Sequence, residues 1–188
     1  MIAVIVVVVV LIILIGMIVL PFNGLVRRRN QVDTNWSQIA VQLKRRYDLI
    51  PNLVETVKGY AAHEKGTFEA VTAARAGAMN AQAGGDPGKT AEADNVLAGT
   101  LKSLFAVAEA YPELKANQSF LQLQDELSST EGRVAASRQS YNESVLSYNT
   151  KVQTFPANMI AGPFHFTIRD FFSVPDGDQV AEAPKVQF

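Results

Sequence analysis

The first twenty residues, Met1 through Leu20, are Ile, Val, Leu, Met, Ala and a single Gly16, and none carries a charged side chain. A run of that length matches the ~20 apolar residues, rising ~1.5 Å each, that cross a hydrocarbon core of ~30 Å. Its β-branched residues are poor helix formers in water. In lipid an unpaired backbone group costs several kcal/mol, so a helix is the one solution open to a single segment. The competing reading is a cleaved signal peptide, which calls for a basic start, a shorter apolar core and a small-x-small cleavage site. No Lys or Arg precedes this run, and it ends Val19-Leu20-Pro21-Phe22-Asn23, which offers no such site. Residues 1–22 are therefore expected to be a retained transmembrane anchor, with membrane lipid as their partner.

The flanks set an orientation. Arg27, Arg28 and Arg29 follow the run closely, and the positive-inside rule places what comes after them in the cytoplasm. The triplet could also anchor to headgroups on either side, which keeps a periplasmic or extracellular domain as the alternative. About 165 residues remain for a body with a core of its own. A net charge of −1 gives no electrostatic case for nucleic acid. The absence of cysteine excludes disulfides and thiol chemistry.

Beyond the run the pattern is helical. Leu25, Val32, Trp36, Ile39, Leu43, Ile50, Leu53, Val57 and Tyr60 advance mostly by threes and fours, with Ala40, Tyr47, Val54 and Ala61 widening the stripe. This predicts a helix over residues 24–78, ~55 residues and ~80 Å long, with Pro21 and Asn23-Gly24 favouring a break before it. Pro51 lacks the N–H that would bond the Tyr47 carbonyl, so a kink is expected there. Residues 76–90, small and Gly-rich, read as the main loop. A second helix is predicted over residues 89–111, ended by Pro112 or followed by a turn that it opens. A third is predicted over residues 119–155, where Phe120, Leu123, Leu127, Thr130, Val134, Ser137, Tyr141, Val145, Tyr148, Val152 and Phe155 alternate by threes and fours. Thr, Ser and Tyr on that seam favour a face of an intramolecular bundle over a free-standing zipper. Pro156 ends it, residues 159–173 read as an aromatic strap on the bundle, and residues 173–188 as a disordered tail. The fold class is all-α: an N-terminal transmembrane helix followed by an antiparallel bundle of long helices, residues 23–172.

Motifs for chemistry are thin. Ala83-Gly-Gly-Asp-Pro-Gly-Lys-Thr90 nearly fits the phosphate-binding G-x-x-x-x-G-K-[ST] pattern, with Ala in place of the first Gly. A working phosphate loop follows a strand, and none precedes it, so a nucleotide-using enzyme is the weakest class. His63 and His165 stand about a hundred residues apart, without the Glu-x-x-His pairs of a bundle metal site. No nucleophile elbow is present. No catalytic residue, cofactor or metal is expected. The densest chemistry is the patch formed by Lys44, Arg45, Arg46, Asp48, Asn52 and Glu55, with Lys44 and Asp48 at pairing distance along a helix. It reads as a solvated face, or as a docking patch for an acidic partner or anionic lipid.

Several stretches resemble one family closely. These are Phe22-Asn-Gly-Leu-Val-Arg-Arg-Arg29, the segment from Trp36 through Leu49-Ile-Pro-Asn-Leu53 to His63-Glu64, and Ala106-Val-Ala-Glu-Ala-Tyr-Pro-Glu-Leu114. Phe120-Leu-Gln-Leu-Gln-Asp-Glu-Leu127, Ser140-Tyr-Asn142, Tyr148-Asn149 and Phe155-Pro156 continue the likeness in the same order. Together they are similar to the LemA family of bacterial membrane proteins, over nearly the whole chain to about Phe172. Phe22 stands where the family usually has Tyr, and Gly162-Pro-Phe replaces a more usual Gly-Phe. The resemblance implies long antiparallel helices behind an anchor in a bacterial cell (inner) membrane, and it implies no particular activity. The expected function is a non-enzymatic, membrane-anchored scaffold that self-assembles as a homo-oligomer or recruits a protein partner. The alternative is a regulatory adaptor for an envelope protease or signalling system, docking through the Lys44–Asn52 patch.

Overall fold

The computed structural model describes residues 1–173, so the expected tail lies outside the described residues apart from Ser173. There are six helices among the described residues and no strand: α1 (Ile2–Lys58), α2 (Lys65–Ala83), α3 (Pro87–Glu109), α4 (Pro112–Lys115), α5 (Gln118–Gln153) and α6 (Asn158–Ala161). The all-α class with a long apolar N-terminal helix stands. Contacts divide the described residues into two units, residues 1–38 with 139–170, and residues 39–138 with 171–173.

In the first unit α1 and α5 run antiparallel in a constant register. The Asn35 side chain donates to the Ser140 carbonyl at 2.9 Å, Arg28 donates to the Ser147 hydroxyl, and the Cβ position of Gly24 lies 3.8 Å from Lys151 Cε. Leu25 and Val32 of α1 and Tyr141, Val145 and Tyr148 of α5 are buried. Residues 2–20 are exposed apart from the half-exposed Gly16, so the body of the protein covers none of the apolar run.

The expected break near Pro21 is absent. α1 passes through Pro21 and Gly24 without interruption for 57 residues. Pro21 is buried, and the contacts of the next turns to α5 hold the backbone helical across its missing N–H. The strap is present. α6 buries Ile160 and Ala161, the Phe166 ring packs 5.6 Å from Phe22, and Arg29 lies 5.2 Å over the Phe166 ring. Asn149 fastens its far end, donating to the Arg169 carbonyl at 2.8 Å and accepting from the Arg169 N–H at 2.9 Å.

The second unit is an up-down-up-down arrangement of α1, α2, α3 and α5. Arg75 donates to the Tyr47 carbonyl at 2.7 Å and Gln82 to the Ala40 carbonyl at 3.0 Å, which fixes α2 antiparallel to α1. The helix expected over residues 24–78 ends at Lys58, and residues 59–64 make the reversal into α2. Gly59 opens it, and the Val57 carbonyl accepts from both Tyr60 and Ala61 (3.0 and 2.9 Å) while Ala61 is buried beneath the turn.

The loop expected over residues 76–90 is helix as far as Ala83, because a run rich in Ala is a good helix former. Gly84, Gly85 and Asp86 alone make that turn, with Gly85 at φ 71°, where a side chain would be strained. Asp86 caps α3, accepting from Lys89 N–H at 3.0 Å, and Pro87 takes the first helical position. α5 falls within two residues of its predicted ends, and Asn117 caps it through the Phe120 N–H at 3.0 Å.

Candidate functional site

The charged patch of α1 divides when the helix packs. Lys44 and Asp48 stay exposed and pair at 2.7 Å, and Lys58 approaches Glu55 at 3.5 Å. Asn52 is exposed beside them, and the same is true of Pro51, which lies inside continuous α1. Arg45 reaches Glu126 of α5 at the surface. Arg46 does not belong to that face. Its side chain is 6% exposed, and its Nη1 donates to both carboxylate oxygens of Asp94, itself 4% exposed, at 3.1 Å each.

A helix explains the division. Arg46 lies three residues after Leu43 and four before Ile50, on the apolar stripe itself, whereas Lys44 and Arg45 are turned about 100° and 200° from Leu43. Asp94 holds the matching place on α3, between the buried Ala91 and Leu97. Burial pushes the Asp94 carboxyl above its ordinary 3.8, against the attraction of Arg46 and of Arg138 and with the help of Glu131. Asp94 escaped notice in the sequence, although an acidic residue on an apolar stripe is a signal that could have found it.

The space beside this pair is small. A cavity of about 180 Å³ is lined by Arg46, Leu101, Lys102, Phe105, Gln124 and Glu131 among others. Small-molecule sites run ~300–1,000 Å³, so this one has the polar groups of a ligand site without the room. Among the described residues no three His, Cys, Asp or Glu side chains lie close enough to hold a metal ion. His63 sits in the turn after α1, and His165 in the strap at φ 56°. The look-alike phosphate loop is a helix–turn–helix whose α3 N-terminus is already occupied by the Asp86 carboxylate, with Lys89 Nζ 3.8 Å from it. An anion already seated on those amides opposes a phosphate.

Burial also shapes the tyrosines. It raises Tyr141 to about 12, with the Tyr141 hydroxyl donating to the Asp170 carbonyl at 2.9 Å, and it raises Tyr47 and Tyr148 above the ordinary value. A phenol whose folded value is raised stabilises the fold fully below the ordinary 10 and loses that contribution as pH climbs toward 12. Tyrosinate absorbance during alkaline titration should therefore show Tyr47, Tyr141 and Tyr148 ionising late, together with loss of helicity. Ionisation of Tyr141 and Tyr148 in the ordinary phenol range while the helices persist would contradict the packing of α5.

The LemA family model matches residues 35–188. Protein LemA of Metamycoplasma hominis is 30% identical over 144 residues, 74% of this chain and 63% of its own length. Magnetosome protein MamQ 2 of Paramagnetospirillum magneticum is 24% identical over 92% of this chain and 72% of its own. Magnetosome protein MamQ of Magnetospirillum gryphiswaldense is 23% identical over 90% of this chain and 71% of its own. The chain thus spans somewhat less than two thirds of the Metamycoplasma protein, and none of these names denotes an enzyme. With a helical body carried on a membrane-length apolar helix and a match over residues 35–188, the chain belongs to the LemA family.

Proposed function

We propose that this protein is a non-enzymatic scaffold, anchored by residues 2–20 in the bacterial inner membrane with its helical body on the cytoplasmic side, and that it works by self-association. The observation that carries the reading is α1 itself, one unbroken helix that begins as an uncovered apolar rod and ends in a packed bundle. Such a helix fixes its protein to a surface, where confinement raises the local concentration of copies, and symmetric homo-oligomers are the common outcome. Val41 on α1, Val96 on α3 and Leu121 on α5 are exposed apolar side chains on helix faces that a second copy can cover. Cytoplasmic placement rests on Arg27, Arg28 and Arg29.

The adaptor reading is weaker, because the charged patch is largely neutralised from within: Lys44 by Asp48, Arg45 by Glu126 and Lys58 by Glu55. Exposed pairs of this kind contribute only ~0–1 kcal/mol and leave little net field to steer a partner. The test is mass in mild detergent, joined to maleimide cross-linking in native membranes through Val41→Cys in this cysteine-free chain. The expected species is a multiple of 20.4 kDa in both. A monomer in detergent that also yields no cross-link in the membrane overturns the scaffold reading.

A further inference from the structure

We infer that the turn after α5 and the start of the strap form a second, shallow membrane contact, in which Phe155, Met159 and Phe164 enter the lipid interface beside the anchor. This rests on residues 2–20 lying in the bilayer, and it does not depend on self-association. The first support is register. Asn35 faces Ser140, Arg28 faces Ser147 and Gly24 faces Lys151, so each step along α1 toward the apolar run is matched by an equal step along α5. The Thr154 N–H still donates to the Thr150 carbonyl at 3.0 Å, so α5 keeps its register to within one residue of Phe155. One further turn of the same register brings Phe155 level with Leu20, inside the last turn of the apolar run.

The second support is the exposure of large apolar side chains around that level. Phe155 is 68% exposed and Met159 66%, although Phe155 continues the seam that is buried at Tyr148. Phe164 is 49% exposed on one side while its ring meets Phe22 at 5.1 Å on the other. Single exposed apolar side chains are ordinary, but Phe155 by register and Phe164 by its contact with Phe22 lie at the end of the apolar run, with Met159 four residues on from Phe155. Aromatic rings prefer that zone.

The third support is charge. Residues 20–32 and 144–168 contain Arg27, Arg28, Arg29 and Lys151 and not one Asp or Glu. Cations just above an apolar contact suit anionic headgroups. Glu143 and Asp170 lie outside these stretches, and Asp33, one residue beyond the first, is paired with Arg169 at 3.1 Å.

The absence of cysteine makes the test direct. Full-length protein carrying one nitroxide at Phe155→Cys, Met159→Cys or Phe164→Cys is placed in vesicles of phosphatidylcholine and phosphatidylglycerol. Accessibility to oxygen is compared with accessibility to a polar nickel chelate. Val10→Cys reports the anchor, and Ile168→Cys, 58% exposed at the far end of the strap, reports water. The expected result is a several-fold higher oxygen-to-nickel ratio at the three sites than at Ile168, corresponding to ~5–10 Å of immersion. If Val10 reads as hydrocarbon and the three sites read like Ile168, the second contact is wrong and the anchor stands. If Val10 also reads as water, both fall. Protection from both reagents at the three sites would mean protein covers them, which overturns the lipid assignment too.

Discussion

Replacing Asp94 with Ala should lower the stability of the helical body by about 3–5 kcal/mol, the cost of leaving a guanidinium buried without its counter-charge. In a body of this size that is a fall in melting temperature on the order of 10 °C. The reason is geometric: Arg46 and Asp94 are 6% and 4% exposed, and both carboxylate oxygens accept from one Nη1. Burial nevertheless outweighs that attraction, since the Asp94 carboxyl is raised rather than lowered. The sign follows. This carboxyl's contribution is fully present below the ordinary 3.8 and is lost as pH rises through the raised value.

Desolvation therefore offsets much of the pair's attraction, and the contact ties α1 to α3. An apolar replacement of both partners, Arg46→Met with Asp94→Leu, should recover most of what Asp94→Ala loses. Thermal unfolding followed by circular dichroism in mild detergent reads all three. A loss below about 1 kcal/mol in Asp94→Ala, the usual range for exposed pairs, would show that Arg46 reaches water.

The same pair marks the limit of what the sequence discloses. Periodicity located α3 and α5 and the apolar stripe of α1, because each has a long face to bury. It could not end α1 at Lys58: Val57, Tyr60 and Ala61 keep helical spacing straight through the reversal, and Gly59 is a weak signal on its own. It misread residues 76–83 because small residues serve both loops and helices, and only the closeness of α2 to α3 decides between them. Lys44, Arg45 and Arg46 read as one basic cluster because composition outweighed angle. Resolving the helix by angle shows Arg46 pointing inward, but its partner 48 residues away becomes visible only when α3 is laid against α1. The strap was legible as aromatic and apolar. Which of its rings face Phe22 and which face outward depends on the register of α5.

Introducing Val9→Asp together with Ile12→Asp should release the protein from membranes upon alkaline carbonate extraction, while the unmodified chain stays in the pellet. Both positions lie mid-run and are exposed, so neither substitution disturbs a contact of the body. Each Asp near the bilayer centre costs ~2.5–3.5 kcal/mol and forfeits the gain of the residue it replaces, so the two together remove roughly 6 kcal/mol or more from insertion. At 1.4 kcal/mol per tenfold that is about four orders of magnitude, enough to turn an integral protein into a peripheral one. Phe155, Met159 and Phe164 cannot make up the difference. Burying an apolar side chain fully gains ~1.5–3 kcal/mol, and these three are already partly covered by their own chain. The doubly substituted protein should keep its helical spectrum and bind anionic vesicles weakly and reversibly at low salt, since those cations act only within a Debye length of ~10 Å. If it remained in the carbonate pellet, residues 2–20 would not be what holds it.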